Sequence, residues 1–116
     1  YNPIKTILNQ TRHRGKNMSK ISNQFIFKLE DIIDKRVADQ SEMSYTVGIL
    51  NKGVGQVAKK LLEESSELAF ASVEQKNTAD IVHEAADLIF HFLIMLKATG
   101  LTLNDVSEEL ESRHKN

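Results

Sequence analysis

Apolar residues recur every three to four positions through most of the chain after residue 22. Phe25, Ile26, Leu29, Ile32, Ile33 and Val37 keep helical spacing and predict a first helix over about 23–38, capped by Ser22 or Asn23. A polar connection follows, and Ser44-Tyr45-Thr46 opens a second helix with Ser44 as its cap. Lys52-Gly53-Val54-Gly55 then interrupts the pattern. Two glycines cost a helix about 1 kcal/mol each, so a break or hinge is the preferred reading over a phosphate-cradling loop. A third helix is predicted over about 54–75, with Val54, Val57, Ala58, Leu61, Ser65, Leu68 and Ser72 as its apolar or small stripe. Asn77 caps a fourth, with Asp80 in the capping-box position, and Ile81, Ala85, Leu88 and Phe92 form its stripe. That helix runs to residue 98 or 99 and stops at Gly100. Thr102 caps a fifth, whose apolar side is Leu103, Val106 and Leu110. No stretch reads as a strand. The fold class is all-α, a bundle of about four to five helices.

The third and fourth helices carry matching acidic clusters, Glu63-Glu64-x-x-Glu67 and Glu84-x-x-Asp87. The midpoint between them falls at Gln75 and Lys76, just before the cap of the fourth helix. An antiparallel hairpin folded there brings both clusters to one level, roughly 15 Å from the turn at about 1.5 Å per residue. Glu64 and Glu67 border one side of their stripe, and Glu84 and Asp87 hold the equivalent positions on the fourth helix. Two carboxylate pairs can therefore converge at the edge of one core seam, which is how helical bundles build sites for hard cations.

Phe90 and Ile94 are apolar yet point away from the main stripe of the fourth helix. A helix apolar nearly all round needs cover on more than one side. A chain of 116 residues has enough for one modest core. A homodimer is therefore expected, with Phe90 or Ile94 buried between subunits.

Charge sharpens this picture. The net charge is −1, but residues 1–60 hold eleven Lys/Arg against five Asp/Glu, and residues 61–116 hold four against eleven. An acidic half suits a cation, and basic residues ahead of it suit a phosphorylated ligand. Residues 1–17 contain basic residues, no acidic one and no clear periodicity. Residues 1–21 are read as a basic tail, with Met18 a candidate start, ahead of a domain spanning 22–116. A nucleic-acid arm is the disfavoured alternative. The longest apolar run, Leu88 to Leu96, is broken by His91 and too short to span a bilayer. With no cysteine and no apolar leader, a cytoplasmic protein is expected, without membrane association.

Close carboxylates repel by up to about 4 kcal/mol per pair at an effective dielectric near 20, and a cation relieves that. Oxygen-only ligands favour Mg²⁺ or Mn²⁺ over zinc, and Mg²⁺ so held typically meets substrate phosphates. His83, Asp87 and His91, at i, i+4 and i+8, form a rival transition-metal set. The preferred reading has His91 hydrogen-bonding near the acidic site and His83 partly exposed. Lys52, Lys59 and Lys60 precede the first cluster. Lys60 is equally suited to an i,i+4 ion pair with Glu64 and to a phosphate. Arg113 is suited to a phosphate or to the end of the last helix.

EExxE, sixteen residues, then ExxD resembles the signature of the all-α nucleoside triphosphate pyrophosphohydrolases, which include MazG-like proteins and dimeric dUTPases. Within them the chain looks most like the phosphoribosyl-ATP pyrophosphohydrolases. The resemblance covers about residues 25–114 and includes Leu29-Glu30-Asp31, Ser44-Tyr45-Thr46, Lys52-Gly53, Lys60, both acidic clusters, His91, Gly100-Leu101, Asp105-Val106 and Arg113. It implies hydrolysis of an α–β phosphate linkage, releasing pyrophosphate and phosphoribosyl-AMP, in the second step of histidine biosynthesis. It also implies that Glu64, Glu67, Glu84 and Asp87 hold Mg²⁺. Glu63 would be a further ligand or would orient and deprotonate the attacking water, and Lys52, Lys60 and Arg113 would contact phosphate. One position departs: Leu62 stands where the family usually has glycine. Two alternatives remain open, a pyrophosphohydrolase of other nucleoside triphosphates and a helical dimer without catalysis.

Overall fold

The computed structural model describes residues 25–40 and 43–115. These form five helices: α1 Phe25–Asp39, α2 Tyr45–Asn51, α3 Val54–Val73, α4 Thr78–Ala98 and α5 Leu103–Arg113. No strand occurs among the described residues. The fold is all-α, as the apolar spacing predicts. The expected cap of α1, Ser22 or Asn23, and the basic tail lie outside the described residues. No single helix among them is long and apolar enough to cross a membrane.

The helix ends follow the turn chemistry of the sequence. The Ser44 side chain caps α2 by accepting from Val47 N. Lys52 closes α2, and Gly53, at φ +96°, turns the chain into α3. Nothing would obstruct a Cβ at Gly53, so the glycine is required by its backbone conformation rather than by crowding. α3 stops two residues before the predicted end. Its stop is a Schellman turn: Gln75 N donates to Ser72 O and Lys76 N to Ala71 O, with Gln75 at φ +57°. Asn77 caps α4 through Asp80 N at 2.9 Å. At the far end of α4 the same turn recurs around Gly100, with Leu101 N donating to Leu96 O at 2.8 Å. Thr102 and Asp105 then form a complete capping box on α5. The first amide of α5, Leu103 N, also donates to Glu30 Oε2 on α1 at 2.6 Å. A carboxylate at a helix N-terminus is favoured by the helix dipole, so Glu30 pins α5 to α1 alongside the Lys97–Asp34 ion pair at 3.0 Å.

α3 and α4 pack along each other as an antiparallel hairpin and make the most extensive contact in the fold. The core lies at one end of that hairpin. Ile33, Ile49, Val57, Leu93, Ile94 and Leu96 form its buried centre. Leu103 and Val106 of α5 pack against it from outside.

This arrangement corrects the expectation for α4. Ile94 is 0% exposed within a single chain, so a second subunit is not what buries it. The short α2 and the start of α3 fold back over that side of α4 and supply the cover, through Ile49 and Val57. Phe90 is partly buried, its ring tilted against Tyr45 with centroids 6.3 Å apart. Exposed apolar residues lie elsewhere, among them Phe25 and Phe27 on α1, Leu62, Phe70 and Val73 on α3, and Val82 and Ile89 on α4.

Candidate metal centre and substrate cleft

Four carboxylates meet midway along the α3–α4 hairpin. Oxygens of Glu64, Glu84 and Asp87 lie within 4.8 Å of one another. Helix periodicity explains why. Glu64 follows Val57 by two turns and Glu84 precedes His91 by two, so each projects from its helix's inner side. Glu64 is more central than its predicted place at the seam's border: only 5% of it is exposed. The observed inner face of α3 runs through Val57, Leu61, Glu64, Leu68 and Ala71. Glu67 lies one turn on and is exposed, yet close enough to feel the cluster. The Glu64 charge, and next the adjacent Glu84 carboxyl, raise its pKa above the ordinary glutamate value.

One oxygen each of Glu64 and Glu84 is buried without a hydrogen-bond partner among the described residues. Leaving such a group unsatisfied costs about 1–3 kcal/mol, and more when it is charged. A hard divalent cation would satisfy both oxygens at once, and a donor set of carboxylates alone suits Mg²⁺ or Mn²⁺. The residues present fit such an ion.

Lys60 stands beside this cluster. Its Nζ is 3.2 Å from Glu64 Oε1 and 3.7 Å from Glu63 Oε2. The hydrogen bond to Glu64 raises the Lys60 pKa above its ordinary value, against the opposing effect of desolvation. The ion pair allowed by the i,i+4 spacing is therefore formed, and Lys60 also faces an open cleft. That cleft, about 370 Å³, is lined by Tyr45, Lys52, Gln56, Lys60 and Glu63, together with Gly48 and Ile49 of α2. Lys52 and Glu63, both singled out in the sequence, thus share a cleft with Lys60. A cavity of similar size, 390 Å³, lies against Val37, Val47 and Leu50. Its polar side chains among the described residues are the amides of Gln40 and Asn51, and none is ionisable. Arg113 lines neither cavity and pairs with Glu109 one turn back at 3.7 Å.

The two histidines of α4, which share one side of the helix by spacing, have different environments. His83 is exposed and pairs with Asp87 Oδ2 at 3.3 Å. His91 is 6% exposed, and both its ring nitrogens are engaged. Nδ1 lies 2.7 Å from the Asp87 carbonyl and Nε2 lies 2.7 Å from the Tyr45 hydroxyl. A transition-metal site on His83, Asp87 and His91 would have to break one of these contacts, because the metal takes one ring nitrogen. Periodicity alone gave no reason to expect Tyr45 in the cleft wall; its only signal was the Ser-Tyr-Thr stretch shared with the resembled family.

Leu62, the departure from the family pattern, is exposed on α3 and shares an open depression with Lys59, Ser66 and Phe70 and with Glu63 and Glu67 of the first acidic cluster. It is absent from the lining of the Tyr45–Lys60 cleft.

Comparison with known proteins agrees with this geometry. Residues 26–114 match the family model described as phosphoribosyl-ATP pyrophosphohydrolase. The chain is 38% identical over 91 residues to a phosphoribosyl-ATP pyrophosphatase of Leptospira biflexa, covering 78% of this chain and 98% of that one. It is 44% identical over 101 residues to the protein of the same name from Nitrobacter winogradskyi, covering 86% of each. A histidine biosynthesis bifunctional protein HisIE of Xylella fastidiosa matches at 35% identity, over 95% of this chain and 57% of that protein. A match spanning nearly every described residue, with both acidic clusters inside it, means that the chain belongs to the phosphoribosyl-ATP pyrophosphohydrolase family.

Proposed function

We propose that the protein hydrolyses phosphoribosyl-ATP at its α–β phosphate linkage, giving phosphoribosyl-AMP and pyrophosphate. On this reading it acts at the second step of histidine biosynthesis. One observation carries the chemistry: two carboxylate pairs from separate helices converge and leave buried oxygens unpartnered beside a lysine-lined cleft. The names of the relatives supply the substrate class.

Glu64, Glu84 and Asp87 would hold Mg²⁺, or Mn²⁺, with Glu67 completing the set from the solvent side. The ion supplies neutralisation of phosphate charge and a lowered pKa for bound water. Glu63 lies outside the tightest carboxylate group and opens onto the cleft, which suits a general base. It takes the proton of the attacking water as the new P–O bond forms and the bridging P–O bond breaks. Lys52 and Lys60 meet the negative charge of the phosphates. Positioning and charge stabilisation are the main demands of phosphoryl transfer, and this wall supplies both.

A second copy of the chain belongs to the same proposal. Phe70 is 65% exposed and Val73 78%. They continue with Leu62 along the exposed side of the helix that carries three of the site's glutamates. Exposed apolar surface of this kind marks an interaction face, and an isologous dimer would cover it.

A pyrophosphate-release assay with Mg²⁺, comparing phosphoribosyl-ATP with ordinary nucleoside triphosphates, tests the reading. Pyrophosphate and phosphoribosyl-AMP are the expected products. Release of single phosphate, or cleavage of ordinary triphosphates alone, overturns it.

A further inference from the structure

The Tyr45 hydroxyl and His91 form a hydrogen-bond chain whose direction is fixed at its buried end. The Asp87 carbonyl oxygen can only accept, so the His91 nitrogen 2.7 Å away, Nδ1, carries a hydrogen. In the neutral ring Nε2 then bears a lone pair, and it accepts from the Tyr45 hydroxyl at 2.7 Å. Tyr45 keeps that proton. Burial pushes its pKa above the usual tyrosine value, and the carboxylates of Glu64, Glu63 and Asp87 push the same way, against Lys60.

The rings are held as well as the hydrogen bonds. The Tyr45 ring meets His91 edge to face at 5.6 Å, and Phe90, itself 6.3 Å from the Tyr45 ring, meets the imidazole at 5.4 Å in the same geometry. His91 is almost wholly buried, whereas Tyr45 is half exposed and lines the same cleft as Lys52 and Lys60. A buried imidazole thus orients an accessible phenol.

The polarity has a chemical consequence. Tyr45 has one hydroxyl hydrogen, and His91 uses it. The phenolic oxygen offers a ligand only lone pairs. A phosphate oxygen, ionised and without a hydrogen, gains nothing there and is served by the lysines instead. A sugar hydroxyl can donate. We propose that Tyr45 is a specificity-determining residue that accepts a hydrogen bond from a ribose hydroxyl of the nucleotide, and that His91 is a positioning residue acting through Tyr45. This rests on the nucleotide reading above and adds to it which residue lining the cleft reads the sugar.

The experiment compares wild type with Tyr45→Phe, which keeps the ring and removes the oxygen. Substrates are phosphoribosyl-ATP and its analogues lacking single ribose hydroxyls. With the full substrate, Tyr45→Phe should raise KM about three- to tenfold, the range of one neutral hydrogen bond, and change kcat much less. One deoxy analogue should raise the wild-type KM by a similar factor while leaving the KM of Tyr45→Phe unchanged. In the wild type, nitrogen NMR of His91 should show a protonated Nδ1 and a bare Nε2. His91→Asn should reproduce the KM effect of Tyr45→Phe, and the double variant should be no worse than either. If His91→Asn fails to fold, the Tyr45→Phe series and the NMR signature still decide. Hydrolysis by wild type with an unchanged KM in Tyr45→Phe, an equal penalty with every analogue, or a protonated Nε2 overturns this inference alone. Failure of wild type to hydrolyse phosphoribosyl-ATP overturns the underlying reading with it.

Discussion

Glu64 on α3 and Glu84 on α4 share one pocket, each with a buried oxygen that lacks a hydrogen-bond partner among the described residues. Two carboxylates so placed raise each other's energy unless a cation lies between them. Replacing the neighbouring Asp87 with Asn removes one charge and keeps the shape. Asp87→Asn should lose most activity yet be no less stable than wild type without metal. Wild type should gain about 2.7 kcal/mol at a hundredfold excess of Mg²⁺ over its dissociation constant, and the variant much less. Thermal melts of both proteins with and without Mg²⁺, beside the activity assay, check this. An active Asp87→Asn enzyme with the full Mg²⁺ shift would refute the placement of the ion.

The raised pKa of Glu67 sets a pH dependence. Its main cause is the Glu64 charge, followed by the adjacent Glu84 carboxyl. Between the unfolded value near 4.5 and the raised folded value, the native chain binds more protons than the unfolded one. Stability is therefore lost as pH rises through the folded pKa. Melting temperatures without divalent metal should show this decline, and Glu67→Gln should flatten it. Mg²⁺ should weaken the difference between the two proteins. An identical pH profile for wild type and Glu67→Gln would count against the coupling.

Gln75 holds a left-handed conformation, φ +57°, at the turn between α3 and α4. A side chain there costs about 1–2 kcal/mol, partly offset by the lower entropy cost of ordering a non-glycine residue. Gln75→Gly should stabilise the protein by about 0.5–1 kcal/mol in urea unfolding, with pyrophosphate release unaffected. A loss of stability would show that the Gln75 side chain makes contacts that outweigh its backbone strain.

Glu30 accepts from the first amide of α5 at 2.6 Å. Glu30→Ala should cost about 2 kcal/mol, typical of a hydrogen bond to a charged group, because it frees a partly buried amide at a helix N-terminus. Chemical denaturation measures the loss. Amide exchange should localise it to α5.

Phe70 tests the second copy. Wild type should run as a dimer in light scattering at micromolar concentration, and Phe70→Asp should run as a monomer that stays folded. A wild-type monomer would remove the dimer from the proposal.

The sequence made much of this legible, for identifiable reasons. Helix ends were readable because Ser44, Gly53, Asn77, Gly100 and Thr102 each perform a local task visible in a few neighbouring residues. The meeting of the acidic clusters was readable because the turn lies midway between them. The burial of Ile94 was not, because the return of α2 over α4 is a long-range packing choice that no local pattern encodes. The left-handed Gln75 was hidden for the opposite reason: glutamine is not the residue that announces such a turn. Tyr45 was invisible to periodicity because its partner, His91, lies 46 positions away.

The position of the core gives the hairpin two unlike halves. Near Ile33, Ile49 and Leu93 the helices are clamped by apolar packing from three other elements, and amides there should open only when the whole chain unfolds. Around Phe70, Val73 and Val82 the same two helices are left exposed, with no cover from the other described helices. With a second copy against it, that tip would be ordered by association rather than by the chain itself. Protein concentration then becomes a structural variable for one end of the molecule and not for the other. Dilution should speed hydrogen exchange in the tip well before it touches the clamped end, and the carboxylates lie on the boundary between the two.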